Sequence, residues 1–177
     1  QHFARARGPG LRRVSTAAHQ HQIPVRAAWL ATTREEALDS AQPIIDPHHH
    51  LWDQPGWRYL LDELLADLRT GHDVRATVYV QSARSLLRAD GPPAMRAVNE
   101  TEFANGVAAM CASGTYGGVR ACAAIVGAAD LRLGDAVRPV LEAHLAAAPE
   151  RLRGIRHSAA WDADPAVLGM LQRAPAT

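Results

Sequence analysis

Three consecutive histidines, His48, His49 and His50, end a short apolar run in the segment PIIDPHHHLWD, Pro43 to Asp53. An imidazole can ligate a metal, transfer protons or act as an ordinary polar group, and its surroundings decide which. If the run continues as an extended strand, its side chains alternate between two faces. His48 and His50 then converge on one face while His49 points to the other. The converging pair supplies two ligands of a divalent metal site.

Asp46 stands two residues before His48, so the same alternation places it deeper on the face of the pair, where its carboxylate could alternatively hold a histidine ring N–H. His19 and His21 repeat the spacing of the pair, but no apolar strand precedes them. We interpret these two as solvated residues in a polar tract. Position, and not spacing alone, therefore makes His48 and His50 a candidate metal site; the alternative is that they cap a strand and bond to backbone.

The elements that must position these side chains alternate between strand and helix. Apolar runs predict four strands: 43–46, 76–83, 120–129 and 152–159. Spacing of apolar residues at i, i+3 and i+4 predicts helices over 57–68 and 94–112 and from residue 134 onward. Such alternation with short connections indicates parallel βαβ units. The fold class is therefore α/β, as an open doubly wound sheet or as part of a (β/α)₈ barrel.

The composition excludes several classes of protein. The chain has 177 residues, of which 47% are hydrophobic, as in an ordinary globular domain. Its longest small-apolar run, Ala121 to Ala129, is much shorter than the roughly 20 residues that cross a bilayer. A net charge of +1 gives no drive toward nucleic acid. Cys111 and Cys122 form no CxxC pair, so we expect two buried thiols and a cytoplasmic, reducing location.

The first part of the chain differs from the rest. Residues 1–34 hold six arginines and no acidic residue, and they show no sustained apolar stripe. We expect residues 1–40 to be a disordered or poorly structured arginine-rich extension. A targeting peptide and translated upstream sequence share this composition. Residues 43–177 then form the folded domain.

The signature IDPHHHLW resembles the I-D-x-H-x-H element of the amidohydrolase-related family, which includes sugar-lactone and pyrone-dicarboxylate lactonases and some decarboxylases. The resemblance continues through TVYVQ, ETEFANGVAAM, IVGAADL and LRGIRHSAAWD, and so covers residues 43–164. It implies a (β/α)₈ TIM barrel of which this chain holds the N-terminal half, about four βα units. His48 and His50 match the first-strand histidines that ligate a divalent metal, expected to be zinc, in members that use one.

The resemblance also implies an activity, namely attack of water on a lactone, ester or amide carbonyl by a lactonase-like hydrolase. A carboxylate-bearing lactone or ester is the expected substrate. The alternatives are a metal-dependent decarboxylase of the same fold and a non-catalytic half-barrel fragment. The family places further histidines on the fifth and sixth strands and a general-base aspartate on the eighth, which have no counterpart here. We therefore expect a chain truncated after about Pro165, with weak metal binding, weak or absent activity and self-association through the open half-barrel.

Three further residues are candidates for substrate binding. Arg156 and His157 lie on the fourth predicted strand, and alternation lets only one of them face the barrel interior. Arg156 could form a bidentate pair with a substrate carboxylate or a strand-end ion pair. His157 is a second candidate, with a satisfied interior or interface histidine as the alternative. Gln81 ends the second predicted strand and could bond to substrate or to backbone.

The remaining polar residues are predicted to have structural roles. Glu100 and Glu102 are two positions apart in a predicted helix, so they face different directions and do not form an acid/base pair. We interpret them as acids favoured near a helix N-terminus. His72 in a loop and His144 on a helix are expected at the surface.

Overall fold

The computed structural model describes residues 26–83, 85–164 and 167. The chain divides into two compact units, Gln1–Glu36 and Ala37–Thr177. The described part of the first unit contains one short helix, α1 (Ala27–Leu30), whose residues are all exposed. Most of the predicted arginine-rich extension, together with His19 and His21, falls on residues 1–25, which lie outside the described residues.

In the second unit, the described part of the chain provides bounds for six strands and three further α-helices. The strands are β1 (Pro43–His49), β2 (Trp52–Gln54), β3 (Trp57–Tyr59), β4 (Asp73–Val80), β5 (Arg120–Ala128) and β6 (Leu152–Arg156). The helices are α2 (Leu61–Leu68), α3 (Val98–Ala112) and α4 (Arg138–Ala147). A four-stranded sheet has the order β1-β4-β5-β6, and all three of its strand pairs are parallel. The predicted α/β class with a parallel sheet is confirmed.

The helix predicted from Trp57 begins later than expected. Residues 57–59 form β3, which pairs antiparallel with β2 across a turn in which Gly56 has φ 78°. The rings of Trp52 and Trp57 stack at 4.3 Å, a cross-strand aromatic contact that stabilises a hairpin. Helix α2 starts only at Leu61, where the Glu63 carboxylate accepts the backbone N–H of Leu60 at 2.9 Å.

The helix predicted from Gly134 also begins later. Gly134 has φ 55° and ψ −132°, values incompatible with a continuous helix, so residues 131–137 form 3₁₀ turns. Helix α4 starts at Arg138, with Pro139 in its first turn, a position where the missing N–H of proline costs nothing. Short 3₁₀ geometry likewise precedes α3, at Pro93–Met95.

The helices cover one face of the sheet. The register places Val78 beside Ala124, and Tyr79 beside Ile125. Tyr79 and Ile125 are fully buried in the core formed with the helices, whereas Val78 and Ala124 on the opposite face are only partly buried. On β1, Ile45 is 67% exposed. Side chains of the second face are therefore open to a ligand or a partner.

A polar contact joins the helices to the sheet inside this core. His144 is fully buried, with Nδ1 2.8 Å from the Thr101 hydroxyl and Nε2 2.9 Å from the Ala128 carbonyl oxygen. The prediction that His144 lies at the surface is wrong, because these two partners satisfy both ring nitrogens inside the core. His72 is exposed as predicted, and both cysteine thiols are buried and free. Among the described residues, no helix has the length and apolar character needed to span a bilayer.

Candidate ligand-binding site at the carboxyl end of the sheet

The predicted site residues lie at one edge of the sheet, because parallel strands all end there. His48 and His50 lie at the end of β1, Gln81 directly follows β4, and Arg156 and His157 lie at the end of β6. In α/β folds with parallel strands this edge is where ligands bind. The contacts among these residues decide what they can do.

The two histidines of the predicted pair face each other. Their Nε2 atoms are 3.2 Å apart, and the rings meet edge to face with centroids 4.9 Å apart. Two imidazole nitrogens bound to one tetrahedral zinc at 2.0–2.1 Å would be about 3.3 Å apart. The convergence of His48 and His50 that alternation predicts is therefore present, and its spacing suits a shared divalent ion.

The ring of His50 is oriented by the backbone. Its Nδ1 lies 2.7 Å from the carbonyl oxygen of Val80. Because a carbonyl oxygen only accepts, Nδ1 carries the proton, and in a neutral ring the lone pair of Nε2 then accepts the 3.2 Å hydrogen bond from Nε2–H of His48. Burial lowers the pKa of His50 despite this bond, and the nearby charge of Arg156 lowers it further. His50 therefore has the tautomer and the neutral charge of a metal ligand.

A bulge in β1 changes the position of Asp46. Asp46 pairs with Thr77, and His49 pairs with Tyr79. An advance of three residues along β1 therefore corresponds to an advance of two residues along β4. The extra residue reverses the alternation and puts Asp46 on the side of His49. Its carboxylate accepts the backbone N–H of His48 at 2.9 Å. The expectation that Asp46 orients a histidine ring is therefore wrong; Asp46 holds the bulge that presents His48.

His49 belongs to the helix side of the sheet. It is 8% exposed, and its Nε2 lies 2.8 Å from the Thr77 hydroxyl and 3.9 Å from the Cys122 sulfur. Burial lowers its pKa to about 4, although the charge of Asp46 opposes the shift. His49 is thus a neutral packing residue, separate from the pair on the open face.

Arg156 reaches across the sheet to the end of β4. Its Nη2 donates to the carbonyl oxygen of Gln81 at 2.9 Å. Among the described residues no carboxylate lies within ion-pair distance of this guanidinium, which disfavours the strand-end ion pair. The charge of Arg156 nevertheless acts on His50, so the guanidinium and the histidine pair share one small region. One N–H group is fixed by Gln81, and the others can bind an anion.

Gln81 contributes to this region through its backbone. Its carbonyl holds Arg156, while its N–H donates to the carbonyl oxygen of Val126 at 2.9 Å. The side chain is 5% exposed, and its Oε1 has no hydrogen-bond partner among the described residues. A direct side-chain contact to substrate, one of the two expectations for Gln81, would require this buried amide to become accessible.

His157 contacts a different charged group. Its Nδ1 lies 3.8 Å from Oδ1 of Asp130, whose other oxygen is 2.7 Å from Nη2 of Arg132. Hydrogen bonds from Arg132 lower the pKa of Asp130 to about 2, so this carboxylate is ionised. His157 and Asp130 form a second polar group at the ends of β5 and β6.

Glu100 is a buried acid that the sequence interpretation missed. It is fully buried, and its carboxylate accepts the backbone N–H of Ser82 at 3.1 Å and the Ser82 hydroxyl at 2.7 Å. Burial raises its pKa, while Ser82 and the charge of Arg156 act in the opposite direction. Glu100 does lie in the first turn of α3, as predicted for an acid favoured near a helix N-terminus, but its complete burial was not predicted. Glu100 stands four and seven positions before the buried Ala104 and Val107, a spacing that could have indicated its burial.

The described residues offer two possible ligands for the predicted metal, His48 and His50. Within residues 26–83 and 85–164, no group of three His, Cys, Asp or Glu side chains is arranged to hold a metal ion. A catalytic zinc normally has three protein ligands and a water. His48 and His50 therefore fit a metal as a pair and need a further ligand.

Comparison with models of protein families, with curated proteins and with solved structures finds no match to this chain. The likeness to the amidohydrolase-related family accordingly stays a prediction from the motifs of residues 43–164.

Proposed function

We propose that this chain carries the metal-binding and carboxylate-binding part of an amidohydrolase-type hydrolase. Such an enzyme directs water at the carbonyl of a lactone, ester or amide. The observation that carries the proposal is the pair of histidine Nε2 atoms 3.2 Å apart, with Nδ1 of His50 bound to the Val80 carbonyl.

The layering of the sheet supports a barrel-type arrangement. A doubly wound sheet has helices on both faces, whereas a (β/α)₈ barrel has its helices outside and a side-chain-lined interior. Here α2, α3 and α4 contribute to a core on one face, and the strands pair in chain order, each parallel to the one before. We infer consecutive βα units of a barrel, with the histidine pair at its catalytic end.

His48 and His50 would hold the metal through their Nε2 atoms. A bound zinc would polarise a carbonyl and lower the pKa of a bound water to about 7. The Val80 carbonyl keeps the lone pair of His50 available, and the Asp46 carboxylate fixes the backbone from which His48 extends. These contacts orient both rings in advance, which reduces the entropic cost of binding, and a bound ion would replace the proton of the hydrogen bond between the two Nε2 atoms.

Arg156 would bind a substrate carboxylate. A guanidinium offers planar, bidentate hydrogen bonding to a carboxylate, and the Gln81 carbonyl already restrains one of its nitrogens. Since Arg156 bonds to the carbonyl of Gln81 and His50 bonds to the carbonyl of the preceding residue, Val80, one small molecule can contact both groups. This supports a carboxylate-bearing lactone or ester as the substrate. The buried free thiols of Cys111 and Cys122 fit a reducing compartment such as the cytoplasm.

A metal-dependent decarboxylase is the second candidate, because a carboxylate held by Arg156 next to a metal is also the arrangement that decarboxylation needs. The product distinguishes the two reactions. Hydrolysis of a lactone releases a titratable acid and consumes one water, whereas decarboxylation releases carbon dioxide. A non-catalytic metal-binding fragment would give neither product.

The first test is metal binding by the histidine pair. Titration with Co²⁺, followed by visible absorption, should show an ion bound by nitrogen and oxygen ligands. Loss of an outer hydrogen-bond partner of a ligand weakens metal binding by about 10- to 100-fold. His48→Ala and His50→Ala each remove a ligand, so we expect each to weaken Co²⁺ binding by more than this. His72→Ala, at an exposed loop histidine, is the control and should bind as the unchanged chain does. Unaltered Co²⁺ binding in both pair variants would overturn the proposal.

The second test is turnover of a panel of carboxylate-bearing lactones and esters, with acid release and carbon dioxide measured in parallel. Activity should require added metal and should be lost in His50→Ala. Arg156→Lys should raise KM more than it lowers kcat, because a lysine keeps the charge but not the bidentate geometry. Metal binding without turnover of any panel member would favour the non-catalytic alternative.

A further inference from the structure

The loop that follows β4 is held by a buried carboxylate. Glu100, in the first turn of α3, accepts two hydrogen bonds from Ser82, at 3.1 Å from the backbone N–H and at 2.7 Å from the hydroxyl. The backbone of Ala83 also stabilises the charged form of this carboxylate. The described donors to Glu100 thus come from the two residues that directly follow Gln81.

This loop needs such an anchor. Strand β4 ends at Val80, so the ladder with β5 no longer restrains the chain beyond Gln81. Ala83 has φ 53°, a left-handed conformation that is unfavourable for a residue with a Cβ. A conformation of this kind persists only where its surroundings fix it. The bonds to Glu100 supply that fixation.

The carbonyl at the start of the same loop holds Arg156. Gln81 donates its N–H to Val126 and accepts from Nη2 of Arg156, so the direction of its carbonyl depends on the peptide that joins it to Ser82. Rotation of that peptide would move the carbonyl oxygen away from the guanidinium. The chain of contacts runs from Glu100 through Ser82 to the Gln81 carbonyl and ends at Arg156.

We infer that Glu100 is a positioning residue for Arg156: by fixing Ser82 and Ala83 it directs the Gln81 carbonyl at the guanidinium and so orients Arg156 toward a carboxylate ligand. The ligand in this inference rests on the proposed function. The orientation of the guanidinium does not, and it can be measured without any ligand.

The side-chain chemistry explains why the anchor is a carboxylate. Its two oxygens accept from several donors at once, whereas the amide of a glutamine can accept through one oxygen only and presents its own N–H groups. Glu100→Gln should therefore satisfy the Ser82 donors in part, and Glu100→Ala should satisfy none. The matched control is Glu102→Gln, since Glu102 lies in the same helix, is 42% exposed and pairs with Arg88.

The first measurement is the NMR signal of the Arg156 guanidinium, identified by its loss in Arg156→Lys. In the unchanged protein, the bond to Gln81 should slow rotation of Nη2 and give resolved Nη protons. Glu100→Gln should broaden these signals and Glu100→Ala should merge them, while Glu102→Gln should leave them unchanged. Resolved Arg156 signals in a folded Glu100→Ala protein would overturn the inference.

Ser82→Ala provides the test if Glu100→Ala does not fold. It deletes the 2.7 Å hydroxyl bond and keeps the backbone bond, so it should broaden the Arg156 signals about as Glu100→Gln does. If neither of these two milder variants changes the Arg156 signals, the inference is wrong.

The second measurement is binding of glutarate, a small dicarboxylate that resembles the hydroxy-dicarboxylate product of a carboxylate-bearing lactone but lacks its hydroxyl group. Glu100→Gln should weaken glutarate binding by about fivefold to tenfold, the effect of losing one ordinary hydrogen bond. If glutarate does not bind the unchanged protein while the Glu100 variants still alter the Arg156 signals, the ligand class of the proposed function fails and the positioning role stands. If glutarate binds at Arg156 with equal strength in every Glu100 variant, the positioning role fails alone.

Discussion

At the scale of single residues, the tightest constraint lies at Gly127 on β5. A Cβ at this position would be 2.9 Å from Nδ1 of His144 and 3.1 Å from Oγ1 of Thr101, the two atoms that form the buried hydrogen bond between α3 and α4. Side-chain atoms essentially never approach so closely. Glycine at 127 is therefore required by space, and not by backbone conformation.

We predict that Gly127→Ala lowers the free energy of unfolding by about 1–3 kcal/mol, because the methyl group must displace the Thr101–His144 contact. Urea denaturation measures this change. Gly154→Ala, on β6, is the control, since a Cβ there meets nothing within 4 Å. If the two variants had the same free energy of unfolding, the prediction would be wrong, because the core near His144 would then accommodate the methyl group.

The pH dependence of stability should report on His144. Burial lowers the pKa of this ring, although its bond to the Ala128 carbonyl opposes the shift. Below the unfolded value of about 6.5 the unfolded chain takes up a proton that the folded chain does not, so stability falls as the pH drops. We predict that the loss of stability between pH 7 and pH 5 is smaller in His144→Asn. If His144→Asn and the unchanged chain lost the same stability between pH 7 and pH 5, the prediction would be contradicted.

Single residues show where sequence interpretation succeeds and fails. Alternation along a strand predicted that His48 and His50 converge, because that geometry is local. The burial of Glu100 and His144 depends on partners distant in sequence, such as Ser82 for Glu100. Helix α4 illustrates the difference: hydrophobicity favours burial of Leu145, yet Leu145 is 52% exposed while the adjacent histidine is buried.

At the scale of elements, the bulge in β1 is the feature on which the histidine pair depends. It leaves the backbone N–H of His48 without a ladder partner, and the Asp46 carboxylate accepts it at 2.9 Å. We predict that Asp46→Ala weakens Co²⁺ binding by about 10-fold, the lower end of the effect of losing a supporting hydrogen bond. Asp46→Asn keeps an acceptor oxygen and should bind Co²⁺ nearly as the unchanged chain does. Equal weakening in both variants would point to the charge of Asp46 instead.

The elements themselves were predictable to different degrees. Apolar runs located all four strands of the parallel sheet, since buried strands differ from their surroundings in composition. The hairpin of β2 and β3 was not predicted, because its aromatic residues also fit a helical spacing and only the turn at Gly56 separates the two. The bulge was not predictable either, since an extra residue is defined only by the register with β4.

At the scale of the whole second unit, one sheet face and two strand edges are available for association. In the described sheet β1 and β6 are the edge strands, and Ile45 on β1 is 67% exposed. Exposed apolar edge strands favour pairing with another chain. We predict concentration-dependent self-association. Ile45→Lys should lower the association constant by about tenfold, which corresponds to a loss of roughly 1.4 kcal/mol of binding free energy.

Sedimentation equilibrium over a range of concentrations measures this association. Leu38→Lys is the control, because Leu38 is fully exposed and lies outside the sheet. Association that persists unchanged in Ile45→Lys, or a chain that remains monomeric at every concentration, would contradict the prediction.

The strand order β1-β4-β5-β6 has a consequence for how the domain is made. Along the chain, each strand of this sheet pairs with the sheet strand synthesised before it, so it can pair as soon as it has been synthesised. Paired residues are 30 positions apart between Pro43 and Asp73 and 44 apart between Ala76 and Arg120, so each pairing closes a loop whose entropic cost rises only slowly with its length. A nascent chain leaving the ribosome can therefore add one βα unit at a time to a growing sheet. The histidine pair, at the end of β1, is synthesised early. The guanidinium of Arg156 reaches the same region only when β6 pairs with β5.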